Sequence, residues 1–270
     1  MMKKTLPILL MLWLAACSIS LQAQERQLVI LHTNDTHSQI EPYTYKADTN
    51  VGGFLRREAL IRETREQNPN VLLFDAGDFS QGTPYFNFFK GYVELKLMNA
   101  MGYDAVTLGN HEFDNGCHAL GKRLHKAKFP VVCANYEFKD KLLRKAVKPY
   151  VVLECGGLKI GVFGLLADLQ PLVSPSVTAE ISYLDPVACA RKCVDELKRQ
   201  GCQLIICLSH LGIDESMMND FTLAKSVPDI DIIIGGHSHV EMPEPRVIGK
   251  TRIYQMTSKG KCVGRITLQY

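Results

Sequence analysis

Gln27-Leu-Val-Ile-Leu-His-Thr-Asn-Asp-Thr-His37 is the stretch on which the fold turns. Its first half is an apolar run, which predicts a strand over Gln27 to Leu31, and its second half is polar and carries Asp35 and His37. The same pattern, an apolar run that stops at chemistry-bearing residues, returns further along the chain. Val71 to Phe74 leads into Asp75, Gly77 and Asp78, and Ala105 to Leu108 into Gly109, Asn110 and His111. Leu204 to Leu208 leads into Ser209 and His210, and Ile230 to Ile234 into Gly235, Gly236, His237, Ser238 and His239. Between these runs, helices are predicted over Phe54 to Glu66, over Tyr92 to Met101 with Gly102 as its stop, over Pro186 to Gln200 with Asp185 as N-cap, and over Met217 to Lys225. Tyr150 to Glu154 and Leu158 to Leu165 flank Gly156-Gly157 as a hairpin. Arg252 to Met256 and Val263 to Leu268 read as two more strands around Lys259-Gly260. Strands alternating with helices predict a single α/β domain of layered sheets with helices outside.

Composition sets bounds on what such a domain can do. The chain has 270 residues, 46% of them hydrophobic, enough for one substantial core. With 31 basic and 28 acidic residues the net charge is +3, so no global field draws the protein to a nucleic acid polymer or an anionic membrane, and any phosphate recognition is local. Residues 1–23 read as an export leader: Lys3 and Lys4 precede an apolar run from Leu6 to Ala16 that is short for a membrane span. Two processing sites compete. Leu14-Ala15-Ala16-Cys17 fits a lipobox and would put a lipid anchor on Cys17, the one membrane attachment expected. Leu21-Gln22-Ala23 before Gln24 fits ordinary cleavage and is favoured slightly, because the residues after Cys17 stay apolar. Either way the domain is 24–270 and its place is periplasmic or outer-membrane-associated. The other eight cysteines form no C-x-x-C pair and are expected to be buried thiols.

Ligands in open α/β sheets bind beyond the carboxyl ends of the strands, so the five polar turns should converge. Any one of them alone is a common capped turn; together, in order, they read as a metal site. Two divalent ions close together need a carboxylate to bridge them, and Asp78 is the candidate bridge. Asp35, His37 and His239 would complete one ion, and Asn110, His210 and His237 the other. These nitrogen and oxygen donors, without thiolate, suit manganese, zinc, iron, cobalt or magnesium. Such a pair lowers the pKa of water and neutralises a phosphate, which predicts phosphate-ester hydrolysis. His111 is not needed to complete either set, and Asp114 is three residues on. His111 is therefore assigned as transition-state stabiliser or general acid, with Asp114 orienting its ring. The competing reading makes Asp114 an N-cap for a helix over Cys117 to His125. Residues 35 and 37, or 237 and 239, point opposite ways on a strand, so their convergence demands tight turns, with Gly235 and Gly236 supplying the freedom.

The runs Leu31-His-Thr-Asn-Asp-Thr-His37, Gly77-Asp-Phe-Ser-Gln-Gly-Thr83, Leu108-Gly-Asn-His-Glu-Phe-Asp-Asn-Gly116, Leu208-Ser-His-Leu-Gly212 and Ile234-Gly-Gly-His-Ser-His239 resemble the 5'-nucleotidase branch of the calcineurin-like metallophosphoesterases. The resemblance covers nearly everything after the leader. It implies a four-layer α/β/β/α sandwich with a dinuclear site on the same ligand residues, His111 and Asp114 as the catalytic dyad, and 5'-nucleotides as substrates. Members usually carry a further C-terminal nucleoside-binding domain; the sequence ends at Tyr270, so that domain is expected on a separate chain, or else this domain acts alone with broad specificity. A phosphodiesterase or pyrophosphatase acting on cyclic nucleotides or nucleotide sugars is the alternative within enzymes, and a metal-containing binding module that needs a partner chain is the alternative outside them. The aromatic run Tyr85, Phe86, Phe88 and Phe89 is expected to be core or a docking face rather than a base-stacking platform. His32 is expected to face away from the ligands.

Overall fold

Alternation along the Gln27–Thr33 strand sends its side chains into two different cores. Val29 and Leu31 pack with Ile61, Leu95, Met98 and Leu120 from helices, while Leu28 and Ile30 pack with Ile160, Val162, Ile206 and Leu208 from a second sheet. Burial on both faces is why this strand, and most of its parallel neighbours, read as continuous apolar runs rather than as alternating patterns. A third core lies on the far side of the second sheet, where Phe163, Leu165, Cys207 and Ile233 meet Ala190, Val194, Leu197 and Leu223. Three cores between four layers make the α/β/β/α sandwich. The computed structural model describes residues 26–214 and 218–270, so the leader with Cys17 lies outside the described residues.

The first sheet has the order Gly264–Gln269, Gln27–Thr33, Val71–Asp75, Ala105–Thr107, Val131–Val132, Val147–Lys148, parallel except for the first strand. The second has the order Arg246–Ile248, Thr251–Tyr254, Ile232–Gly235, Leu204–His210, Leu158–Leu166, Tyr150–Cys155, with parallel centre and an antiparallel hairpin at each edge. Local chemistry explains the element ends. The Asp185 carboxylate accepts from Ala188 N at 2.6 Å to cap the Pro186–Arg199 helix. Tyr92–Met101 stops where Gly102 turns left-handed at φ 68° and its N–H reaches Met98 O.

The two strands expected around Lys259-Gly260 belong to different sheets, so the segment between them crosses from one sheet to the other. The final helix runs Asp220–Ser226, later than Met217 to Lys225, because Asn219 caps it by accepting from Thr222 N. The aromatic run forms a short helix, Pro84–Phe89, with Phe86 buried and Phe88 and Phe89 exposed. The strands Val131–Val132, Val147–Lys148 and Arg246–Ile248 are too short to carry a periodic signal. His32 does face away from the ligand turns: its ring is fully buried edge-on to Tyr254, and burial pushes its pKa down to about 4. All eight cysteines among the described residues are free thiols.

Candidate active site

Left-handed backbone recurs at the residues that carry the chemistry. Asp35, His37, Asp78, His237 and His239 all have positive φ, at 50°, 46°, 53°, 73° and 54°. Non-glycine residues rarely adopt that region, at roughly 1–3 kcal/mol each, and they persist there only where the surroundings hold them. This corrects the assignment of turning freedom to Gly235 and Gly236, neither of which has positive φ. Gly236 serves close approach instead: a Cβ there would stand 2.8 Å from Ala76 O, 2.9 Å from His210 Nδ1 and 3.0 Å from Asp35 Oδ2.

All nine residues singled out in the sequence come together. Donor atoms of Asp35, His37 and His239 lie within 4.8 Å of one another, as do those of Asp78, His210 and His237, and those of His37, Asp78 and His111. Asp35 Oδ1 stands 3.2 Å from His239 Nε2, and His37 Nε2 stands 3.0 Å from the same nitrogen. Asp78 Oδ2 is 3.2 Å from His210 Nε2, and Asn110 Oδ1 is 3.1 Å from His237 Nδ1. His210 Nδ1–H donates to Ala76 O at 2.6 Å, which leaves Nε2 as the nitrogen turned to the carboxylates. His111 lies beside this cluster, its ring 5.4 Å from that of His37, and Nδ1–H donates to Asp114 Oδ2 at 3.0 Å. Gly116, at φ 83°, occupies the N-cap of Cys117–Leu124, so Asp114 does not cap that helix.

A layer of buried polar residues that the sequence reading left without a role holds these turns. Glu112 accepts from three backbone donors, Gly109 N, Asp78 N and Ser80 N at 2.7, 2.9 and 3.0 Å, and so ties the Asp78 turn to the Asn110 turn. Asp75 accepts from Thr33 Oγ1 at 2.6 Å and from Gly77 N at 3.0 Å, joining the first two strand ends. Asn34 Nδ2 donates to Asp35 Oδ2 at 2.7 Å. Asp220 accepts from Ser209 Oγ behind His210 at 2.5 Å. Glu112 offered a signal, a carboxylate three residues after the turn glycine Gly109, and Asp75 another, two residues before Gly77; the Asp75–Thr33 and Asp220–Ser209 bonds reach across the fold and leave no spacing.

Burial and charge oppose each other throughout the site. Burial alone would raise the Asp78 carboxyl, but the His210, His37 and His111 imidazoles outweigh it and hold Asp78 well below the usual carboxylate range. Burial depresses His210, and Asp78 and Asp35 more than reverse this, lifting it to about 10. His37 and His237 are lowered, chiefly by burial. The hydrogen bond to Asp114 raises His111 against its partial burial. The donor set fits divalent cations. His210 Nε2 faces Asp78 Oδ2 at 3.2 Å, buried and without a well-formed hydrogen bond, and a cation among these carboxylates and imidazoles would take the place that protons otherwise hold.

Residues 28–241 match the model of the calcineurin-like phosphoesterase family. The chain belongs to that family. Within it, this calcineurin-like phosphoesterase is 37% identical over 245 residues to a snake venom 5'-nucleotidase from Gloydius brevicauda, a match that covers 86% of this chain and 41% of the relative. It is 38% identical to the Homo sapiens 5'-nucleotidase over 223 residues, 79% of this chain and 38% of that one. Among solved structures, a 5'-nucleotidase precursor from Thermus thermophilus superposes with a TM-score of 0.81 at 35% identity, covering 90% of this chain and 51% of that one. The Haemophilus influenzae NAD nucleotidase superposes with a TM-score of 0.79 at 30% identity, over 91% of this chain and 48% of that one. This phosphoesterase thus spans about two-fifths to half the length of these relatives.

Proposed function

We propose that this chain is the catalytic domain of a 5'-nucleotidase that releases phosphate from 5'-nucleotides at two divalent metal ions. The observation that carries the reading is the convergence of two donor groups, Asp35 with His37 and His239 and Asp78 with His210 and His237, beside a separate His111–Asp114 pair. Asp35, His37, Asp78, Asn110, His210, His237 and His239 are the proposed ligands, with Asp78 shared. Bound there, the ions supply neutralising charge to a phosphate and lower the pKa of water beside it.

The chain's own residues do the rest. Glu112 and Asp75 hold the strand ends in register. Asp114, accepting from His111 Nδ1–H, leaves Nε2 to meet the substrate and favours the protonated ring. His111 then gives its proton to the leaving alkoxide oxygen, or stabilises charge on it. The similarity to an NAD nucleotidase favours one second reading, attack on the pyrophosphate of a dinucleotide or nucleotide sugar at the same centre. Export belongs to the proposal too, carried by Lys3, Lys4 and the apolar run that follows.

The test is hydrolysis by residues 24–270 of 5'-AMP, a nucleotide sugar and a generic phosphate ester, with manganese and with chelator, read as released phosphate and, for the nucleotide sugar, as the two monophosphates that cleavage of its pyrophosphate gives. Chelator-sensitive preference for 5'-AMP is expected. Weak release from all three alike would keep the metal chemistry and assign base recognition to a partner outside these residues. No hydrolysis of any of the three with both ions bound would overturn the enzymatic reading in favour of a binding module.

A further inference from the structure

Gln255 lies just past the carboxyl end of the Thr251–Tyr254 strand, fully buried, and both ends of its carboxamide are bonded. Nε2 donates to Gly236 O at 2.8 Å, and Oε1 accepts from Val240 N at 2.7 Å. Gly236 and Val240 flank His237-Ser238-His239, so one side chain grips both feet of the turn that carries two proposed ligands. The neighbouring backbone reinforces the grip: Thr257 N donates to Val240 O, and Met242 N donates to Gln255 O, each at 3.0 Å.

The same segment also reaches the first sheet. Met256 N donates to Asn34 Oδ1 at 2.9 Å, Asn34 Nδ2 donates to Thr257 O at 2.7 Å, and Lys259 N donates to Asp35 O at 2.7 Å. His237 N completes the loop by donating to Asp35 Oδ2 at 3.0 Å. Residues 255–259 therefore form a strap between the Asp35 turn on one sheet and the His237–His239 turn on the other. Gln255 is the side chain by which the strap holds the second turn. His237 and His239 both sit at positive φ, a conformation that a short chain segment does not keep unaided.

We propose that Gln255 is a positioning residue for the metal centre, setting the affinity of the divalent ion served by His239 through the geometry of the His237–His239 turn. The assignment rests on the metal-centre reading given above. It is separable from a general contribution to stability because Thr251, on the same strand, makes a comparably buried bond, Oγ1 to Ile230 O at 2.7 Å, that touches neither ligand turn.

The experiment titrates cobalt(II) into the full chain, reading affinity and the visible ligand-field spectrum, with thermal unfolding of the metal-free proteins measured alongside. Gln255→Leu is expected to weaken cobalt binding by about 10- to 100-fold, the usual range for loss of a residue that orients a ligand, and to alter the spectrum. Thr251→Val is expected to lower thermal stability and leave both unchanged. Gln255→Glu keeps the acceptor for Val240 N–H and loses the donor to Gly236 O; its expected affinity is intermediate, and it carries the test if Gln255→Leu does not fold. Wild-type affinity and spectrum in the Gln255 variants, or an equal loss in Thr251→Val, would overturn the assignment. Absence of cobalt binding by the wild-type protein would overturn the metal-centre reading itself, and the assignment with it.

Discussion

The first sheet brings to the site the carboxylates Asp35 and Asp78, the carboxamide of Asn110 and the imidazoles of His37 and His111, whereas the second sheet brings only the imidazoles of His210, His237 and His239. The contrast extends to how the groups are held. On the first sheet, Glu112, Asp75 and Asn34 fix the turns from within the same half. On the second, Gln255 grips the His237–His239 turn from the same half, and the histidines take further orientation across the gap: His210 donates to Ala76 O, His237 meets Asn110 Oδ1, and the His237 backbone N–H reaches Asp35. The groups Asp35–His37–His239 and Asp78–His210–His237 each draw donor atoms from both halves. The apolar core between the sheets brings the halves together, and the cross-sheet hydrogen bonds then set ligand direction.

The largest expected effect strikes the residue that faces both donor groups. Asp78→Ala should lower turnover by on the order of a thousandfold or more, because the several kcal/mol of charge stabilisation supplied by a metal pair goes with it; near-normal turnover would show that the halves do not meet at Asp78. His111→Ala should cost about a hundredfold in turnover, the scale of a positioned acid, while plasma mass spectrometry finds the metal content unchanged. Loss of metal in that variant would move His111 into the ligand set, which the grouping of His37, Asp78 and His111 would then explain.

Asp114→Asn tests the pairing itself. The hydrogen bond to Asp114 raises His111, and an acid is active only while protonated, so activity is lost as pH rises through the His111 pKa. Weakening the acceptor should move that alkaline limb to lower pH, read from the pH dependence of kcat; an unmoved limb would separate Asp114 from the chemistry. Saturating metal, at about 100 times its Kd, should stabilise the fold by about 2.7 kcal/mol, which chelator removes, as followed by thermal unfolding. The smallest effect is expected in the core between the sheets. Ile206→Val should cost about 0.5–1.5 kcal/mol of stability and leave turnover near wild type, since ligand direction is set by hydrogen bonds rather than by that methyl group.

The five strand-end turns are legible in the sequence because polar, metal-competent side chains follow directly on apolar runs, where chance rarely places them in series. Strand order across the two sheets is less so: nothing in Arg252 to Leu268 signals that its two strands join different sheets. The support of the turns is least legible of all. Gln255 and Asp220 act over distance on backbone or hydroxyl groups, and such partnerships leave no periodicity. The turning freedom attributed to Gly235 and Gly236 belongs instead to the ligands themselves, since steric room for Asp35 and His210 is what Gly236 provides.

Metal stoichiometry tests the cross-sheet account most directly. Crystals of the full chain grown with manganese, with diffraction collected at the metal absorption edge, are expected to show two anomalous peaks flanking Asp78, one reached by His37 and His239 and the other by His210 and His237. A single peak held by first-sheet residues alone, or two peaks that leave His210 and His237 unligated, would contradict it.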